Sequence, residues 1–269
     1  MLLLVDIGNT RVKWARLVDG QMGKQHAAAN SGWSAQQYAR RVIGRGWSSD
    51  QSRIVVSSVA GEKINRLLVA AARQSDAPAP EFVASERTAA GVTTEYLEPW
   101  RLGVDRFVGA IGAHHLASGH PVCVVSVGTA MTLDLIDGSG RHRGGAIVPG
   151  PALMVNSLLT QTNGIRKRAT GGAGGIRSLF ARTTRTAIGQ GALYAAAAVI
   201  DRAIEEARAQ LGSKPLVLLT GGGSAGIKPL IRNTCVSLPD LVLHGLAVWA
   251  RLTPPPDTEH RSRKGHRVD

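Results

Sequence analysis

A chain of 269 residues, 43% of them hydrophobic, is long enough to bury one large core or two modest ones. Its formal net charge of +13 invites a polyanionic partner, because clustered Lys and Arg release counterions from nucleic acid. Three Phe and three Tyr are too few to build a stacking platform, and no helix-turn-helix pattern is present, so nucleic acid is not expected as a partner.

In chain order, Leu2 to Asp6 is a short apolar run closed by Asp6-Ile-Gly-Asn-Thr10, the pattern of a buried strand entering a turn. Val12 to Leu17 resumes a strand pattern, which predicts a hairpin. Ser34 to Ile43 and Lys63 to Arg73 predict helices, with a strand at Arg53 to Ser58 between them. A loop at Asp76 to Pro80 leads to a strand at Glu81 to Ala84, and Asp105 to Leu116 carries apolar residues at helical spacing. A second cycle follows. Pro121 to Val127 is an apolar run entering Ser126-Val-Gly-Thr-Ala130, Met131 to Ile136 is another strand, and Gly138-Ser-Gly140 makes a turn. Ala192 to Leu211 predicts an Ala-rich helix, Leu216 to Leu219 a strand running into Thr220-Gly-Gly-Gly223, and Leu241 to Trp249 a closing helix. After Leu252, Pro254-Pro-Pro256 and a charged, polar sequence predict disorder.

Cys123 and Cys235 sit in apolar surroundings at no paired spacing, which predicts two reduced, buried thiols. The eight histidines form no metal-ligand pattern, for adjacent His114 and His115 fall on different helix faces. No apolar run reaches the ~20 residues that cross a bilayer. The opening apolar run lacks a basic leader and ends at Asp6, so a cytoplasmic protein with no membrane partner is expected.

The two cycles begin alike, with an apolar strand, a small-residue turn carrying Thr, and a second strand. Asp6-Ile-Gly-Asn-Thr10 and Ser126-Val-Gly-Thr129 take corresponding places. Internal duplication with both halves facing one cleft explains this economically; two accidental Gly-Thr turns are the alternative. A carboxylate beside a tight turn of exposed amides suits phosphate and hydrated Mg²⁺, with the Thr10 hydroxyl as a further ligand. The chain has no Walker loop and no dinucleotide fingerprint. Gly128-Thr129-Ala130 supplies a second such turn and Thr220-Gly-Gly-Gly223 a third. Three such strand ends in this order resemble the acetate and sugar kinase, heat-shock ATPase and actin superfamily.

Within that superfamily four segments narrow the match. Asp6-Ile-Gly-Asn-Thr10, Gly103-Val-Asp-Arg106, Gly128-Thr-Ala-Met-Thr132-Leu-Asp134 and Gly144-Gly-Ala-Ile-Val-Pro-Gly150 together resemble the type III pantothenate kinases, from Leu2 to about Leu252. The resemblance implies an α/β fold of two RNase H-like, actin-like ATPase domains with a nucleotide cleft between them. Residues 1–116 would carry the ATP phosphate turn and the catalytic Asp, residues 117–252 the second domain, and residues 253–269 a disordered basic tail. It further implies ATP-dependent phosphorylation of pantothenate to 4′-phosphopantothenate, the first step toward coenzyme A. The enzyme would be a homodimer that uses Mg²⁺ with ATP and a monovalent cation, K⁺ or NH₄⁺.

In residue terms the resemblance makes Asp105 the general base. ATP and its phosphates would be met by Asp6, Gly8, Asn9, Thr10, Lys13 and Thr129, with Asp6 reaching Mg²⁺ through water. Pantothenate would be met by Tyr96, Gly103, Val104, Asp105 and Arg106. Thr184 would reach it from a partner subunit, with Thr183 and Thr186 as alternatives. Gly103 is expected to allow a tight turn before the helix. Arg106 would clamp either the substrate carboxylate or the transferring phosphoryl group. Asp134 either points to the cleft or caps a strand end. Ser126 stands where many family members carry Asp, so the monovalent cation site is expected to be weak or absent. The stretch from Gly164 to Ala181 is richer in Gly and Arg than the family pattern. Two other readings remain: a kinase of the same fold for another small alcohol or acid, and a transcriptional accessory protein without kinase activity. Intact Asp6, Asp105 and Arg106 favour an enzyme.

Overall fold

The structure is a computed structural model that describes residues 1–47, 52–169 and 178–254. The basic tail from residue 255 and residues 170–177 of the Gly/Arg-rich stretch lie outside the described residues. Two compact units divide the chain: Met1–Val83 with the segment from Leu246, and Ala84–Gly245.

The first unit is a mixed sheet with helices. It contains β1 (Leu2–Ile7), β2 (Arg11–Val18), β3 (Gln21–Met22), β4 (His26–Ala29), α1 (Ala35–Tyr38), β5 (Arg53–Ser58), α2 (Glu62–Gln74) and β6 (Pro80–Phe82). Its strand order is β3-β2-β1-β5-β6, with β4 paired to the end of β2. Strand β1 is central and covered on both faces, which explains its unbroken Leu-Leu-Leu-Val run. The core gathers Leu3, Val5, Ile7, Val12, Tyr38, Ile54, Val56 and Leu68. Ser34 caps α1 in a capping box with Gln37. The helix expected through Ile43 is α-helical only to Tyr38; a π-helical turn over Ala39–Ile43 follows and Gly44 closes it at φ 69°.

The second unit carries β7 (Thr88–Ala89), β8 (Val92–Thr94), α3 (Val104–Ala117), β9 (Val122–Val127), β10 (Ala130–Ile136), β11 (Arg141–Pro149), α4 (Pro151–Gln161), α5 (Asn163–Arg168), α6 (Thr184–Leu211), β12 (Leu216–Thr220), α7 (Ser224–Ile227) and β13 (Val236–Ser237); α8 (Leu241–Leu252) closes the described chain. Its strand order is β13-β12-β9-β10-β11-β8-β7. Strand β11 was not legible as a strand, because Gly144-Gly-Ala gives no alternation of apolar and polar residues. Helix α6 begins at Thr184, eight residues before the expected start at Ala192. The Thr183 hydroxyl caps it by accepting from the Thr186 N–H at 3.2 Å.

The duplication has a topological counterpart. Strand β1 is antiparallel to β2 and parallel to β5, which is parallel to β6. Likewise β9 is antiparallel to β10 and parallel to β12, which is parallel to β13. The registers superpose residue for residue: Asp6 lies between Lys13 and Ser57, and Ser126 lies between Thr132 and Thr220.

Candidate active site

Cross-strand partners share a face of the sheet, so each unit presents a row of polar side chains at the end of its central strand. In the first unit the row is Ser57, Asp6 and Lys13, and the Ser57 hydroxyl donates to Asp6 Oδ1 at 3.3 Å. The chain then turns through Gly8, whose N–H bonds the Arg11 carbonyl at 2.9 Å, leaving Asn9 and Thr10 exposed at the tip. In the second unit the row is Thr220, Ser126 and Thr132. The corresponding turn is closed by the Gly128 N–H on the Ala130 carbonyl at 3.0 Å, with Thr129 exposed. The Gly223 N–H bonds the Val127 carbonyl at 3.0 Å, so the Thr220-Gly-Gly-Gly223 strand end is fastened against the second turn. A Cβ on Gly221 would collide with that same carbonyl. Exposed amides and hydroxyls at two such strand ends are suited to phosphate oxygens.

The third group lies on α3 and the strands beneath it. Gly103 is the N-cap of α3 at φ −54°, a value open to any residue. A tight turn is therefore not what its glycine supplies. A Cβ there would stand 2.8 Å from Asp105 Oδ1, so the glycine makes room for the Asp105 carboxylate. Asp105 Oδ1 accepts from the Arg106 N–H at 2.9 Å. Burial pushes the Asp105 carboxyl above the usual carboxylate range; the Arg106 bond and charge oppose this and the Asp134 charge adds to it.

Arg106 turns inward. Its side chain is 6% exposed, and Nε and Nη2 both donate to Asp134, at 3.0 Å to Oδ2 and 2.7 Å to Oδ1. Nη1 donates to the Tyr96 hydroxyl at 2.9 Å, and the guanidinium lies 5.5 Å from the Tyr96 ring centre. Asp134, on β10, is the hub: His142 Nε2 lies 2.7 Å from its Oδ1. Burial alone would raise the Asp134 carboxyl, but the His142 and Arg106 hydrogen bonds outweigh it and hold it below the usual range. Burial opposes the Arg106 charge, but the hydrogen bonds that Arg106 donates to Asp134, with the Asp134 charge, outweigh it and hold the guanidinium above its ordinary value. Asp134 thus neither caps a strand end nor stands open; it neutralises Arg106.

The glycines of the Gly144-Gly-Ala-Ile-Val-Pro-Gly150 segment acquire physical reasons here. Gly144 sits at φ +113°. A Cβ on Gly145 would collide with the Leu133 carbonyl and come within 2.7 Å of Arg106 Nη2 and Asp134 Oδ1. A Cβ on Gly150 would collide with the Gly128 carbonyl, while the Gly150 N–H bonds the Thr129 carbonyl at 2.9 Å. The segment closes over the ion pair and then braces the Gly128-Thr129 turn. Thr183 and Thr186 bond each other at 2.8 Å within the α6 cap, whereas Thr184 takes no part in it.

Residues 2–206 match the family model described as type III pantothenate kinase. The type III pantothenate kinase of Nitrosococcus oceani is 38% identical over 259 residues, covering 94% of this chain and 95% of that protein. The chain belongs to the type III pantothenate kinase family. Its activity is accordingly ATP-dependent phosphorylation of pantothenate on the route to coenzyme A. Among solved structures, a putative Baf family transcriptional activator from Campylobacter jejuni superposes with a TM-score of 0.56 at 20% identity, covering 91% of this chain and 94% of that one. The (R)-2-hydroxyglutaryl-CoA dehydratase component A of Acidaminococcus fermentans gives 0.52 at 11% identity, with 93% and 95% covered. At such identities these likenesses speak for the α/β fold alone.

Against the pantothenate kinase pattern, the structure brings Tyr96, Gly103, Asp105 and Arg106 into one neighbourhood of the second unit. Asp6, Gly8, Asn9, Thr10 and Lys13 form another at the end of β1 in the first. Ser126 and Thr129 lie at the end of β9, and Thr184 opens α6. Sequence reasoning missed His142 and Thr94. His142 bonds Asp134 and, through Nδ1, Thr94 Oγ1 at 3.3 Å. Their only sequence signal is position, two residues before Gly144-Gly145 and two before Tyr96.

Proposed function

We propose that Asp105 is the base that takes the proton from the pantothenate hydroxyl as it attacks the γ-phosphoryl group of ATP. The supporting observation is a half-buried carboxylate, raised above its usual range, fixed in the first turn of α3 beside a neutralised Arg106. A base works best when its pKa approaches the operating pH, and burial moves Asp105 that way. Tyr96, Gly103, Val104 and Arg106 shape the pantothenate side. With its charge met by Asp134, Arg106 contributes hydrogen-bond direction more than net positive charge.

On the ATP side we assign Asp6, Gly8, Asn9, Thr10 and Lys13, with Thr129 contributing from the second phosphate turn. Among the described residues no cluster of three His, Cys, Asp or Glu could hold a metal. Mg²⁺ would therefore be held by Asp6 through water and by the phosphates, the arrangement that suits an ion reluctant to dehydrate. The row of Ser126, Thr132 and Thr220 offers neutral hydroxyls only, so binding of K⁺ or NH₄⁺ there is weak.

We further infer a homodimer. No residue of α4 is buried, and Leu153, Leu158 and Ile147 of β11 are exposed together with Phe180 just before α6. Thr184, four residues beyond Phe180, would reach pantothenate from the partner subunit. Residues 1–116 and 117–252 are the proposed halves of the duplication, since β1 and β9 open equivalent strand patterns. No helix among the described residues is long and apolar enough to cross a membrane; reliance on ATP and pantothenate places the reaction in the cytoplasm.

A coupled ADP-release assay with and without pantothenate, run against a panel of small alcohols, tests the reading. Pantothenate-dependent turnover is expected. Turnover with another alcohol but not with pantothenate overturns it.

A further inference from the structure

We propose that His142 is a positioning residue for pantothenate recognition, acting through Asp134 and Arg106 to aim the Tyr96 hydroxyl proton at the substrate. The proposal rests on the reading of Tyr96 and Arg106 as substrate-side residues. It follows from the polarity of one chain of hydrogen bonds. Arginine can only donate and an ionised carboxylate can only accept. Arg106 Nη1 therefore donates to the Tyr96 oxygen at 2.9 Å, and the one phenolic proton must point away from the guanidinium. Asp134, already accepting from Arg106, also accepts from His142 Nε2 at 2.7 Å, which fixes the ring proton on Nε2. On the other side of the ring, Nδ1 lies 3.3 Å from Thr94 Oγ1 and shares a hydrogen bond with that hydroxyl. Thr94 Oγ1 in turn accepts the backbone N–H of Tyr96 at 3.2 Å.

The circuit begins at the Tyr96 backbone and ends at the Tyr96 hydroxyl. Three strands and a helix close it: β8 leads to Thr94, β11 pairs alongside with His142 in register opposite Thr94, β10 supplies Asp134, and α3 supplies Arg106. The Tyr96 ring packs on His142 at 5.8 Å between centres, so contact and hydrogen bonds hold the same side chain. His142 is fully buried and cannot touch substrate itself. What the circuit presents is a hydroxyl whose oxygen is engaged by a guanidinium and whose proton is thereby a stronger donor. Such a donor suits an acceptor oxygen of pantothenate, its carboxylate or its amide carbonyl. It reads that oxygen by direction, with no unbalanced positive charge.

The test is steady-state kinetics on His142→Phe, which keeps a ring of similar size, and His142→Gln, whose amide N–H can reach Asp134. For His142→Phe the pantothenate KM should rise about tenfold, with kcat and the ATP KM within about threefold of wild type. His142→Gln should return the pantothenate KM to within about threefold of wild type. Tyr96→Phe removes the hydroxyl alone, and adding His142→Phe to it should cost little more, since both act on one proton. A folded His142→Phe with unchanged pantothenate KM overturns the proposal. So does an equal rise in both KM values, or fully additive Tyr96 and His142 effects. If His142→Phe fails to fold, His142→Asn, whose shorter amide falls short of Asp134, takes its place with the same expectations and the same cycle against Tyr96→Phe. A wild-type chain without pantothenate-dependent turnover would overturn the kinase reading itself, whereas an active wild type with insensitive variants overturns only the role of His142.

Discussion

Asp134→Asn perturbs the site at its electrostatic centre. The Arg106 and Asp134 side chains are 6% and 2% exposed, so the pair is out of water. Every group aimed at Asp134 is a donor: Arg106 Nε and Nη2, and His142 Nε2. An asparagine keeps one acceptor oxygen, but its NH₂ must face one of these donors whichever way the amide turns. Arg106 is then left as a buried cation without a counter-charge. Breaking such a pair from one side costs about 3–5 kcal/mol; with one acceptor retained, about 3 kcal/mol is expected. For a unit of this size that is a fall in Tm of roughly 6–12 °C. Because the folded carboxyl lies below its unfolded value, its stabilisation is complete above pH ~3.9 and is lost as pH falls through the lower folded value. The gap between wild type and variant should therefore hold across neutral pH and close only in acid. Removing both partners, as Arg106→Met with Asp134→Leu, should recover most of the stability and none of the kinase activity. Thermal melts over a pH series measure all of this. An Asp134→Asn protein melting within about 2 °C of wild type at pH 7 would refute the reasoning.

Asp105→Asn should lower kcat by at least ~10²-fold and raise Tm at pH 7. The raised carboxyl makes its ionised form a cost that appears as pH rises through the folded value, so the gain in Tm should vanish below pH ~3.9; near-normal turnover removes Asp105 from the mechanism. The acid limb of the wild-type kcat/KM profile should lie above the ordinary carboxylate value, and a limb at or below ~3.9 contradicts the burial of the base. Asp6→Ala should weaken Mg²⁺-ATP use more than pantothenate binding, and unchanged nucleotide affinity by calorimetry with normal turnover counts against the assignment. Ser126→Asp should strengthen activation by K⁺ over Na⁺, since one added negative charge favours a monovalent cation; identical rates in the two salts for the variant tell against a cation site at β9.

Legibility in the sequence followed the physics of each element. Strands β1, β5 and β9 were readable because burial on both faces writes itself as an apolar run. Helix α3 was readable to within a residue at each end from its apolar spacing. Strand β11 was not, because its residues are chosen for absence: Gly145 within it, and Gly150 just beyond its end, are small so that the Leu133 and Gly128 carbonyls can approach. The same limit hid the circuit around Asp134. A sequence displays Gly103-Val-Asp-Arg106 as a compact segment, and an arginine there suggests an anion clamp facing outward. Which way Arg106 turns depends on Asp134, 28 residues on, and on His142, which reaches Asp134 only across the β10–β11 pairing. Contacts made by register carry no local signature.

The duplicated topology explains why one polar row is charged and the other is not. Both units place a side chain at the end of a central strand, flanked by one neighbour from the antiparallel strand and one from the parallel strand. In the first these are Lys13 and Ser57 around Asp6, a row with both signs of charge. In the second they are Thr132 and Thr220 around Ser126, all hydroxyls. A hydrated divalent cation and the phosphates it bridges need a carboxylate and gain from a nearby ammonium. A turn that only steadies a phosphate oxygen needs amide and hydroxyl donors, and an added carboxylate would repel it. On the proposed assignments the same backbone would serve two tasks, with the residue at the Asp6 and Ser126 positions setting which. Ser126→Asp is the substitution that would make the second row resemble the first. Its effect on the cation and on ATP should have opposite signs: tighter K⁺, and weaker ATP when K⁺ is absent.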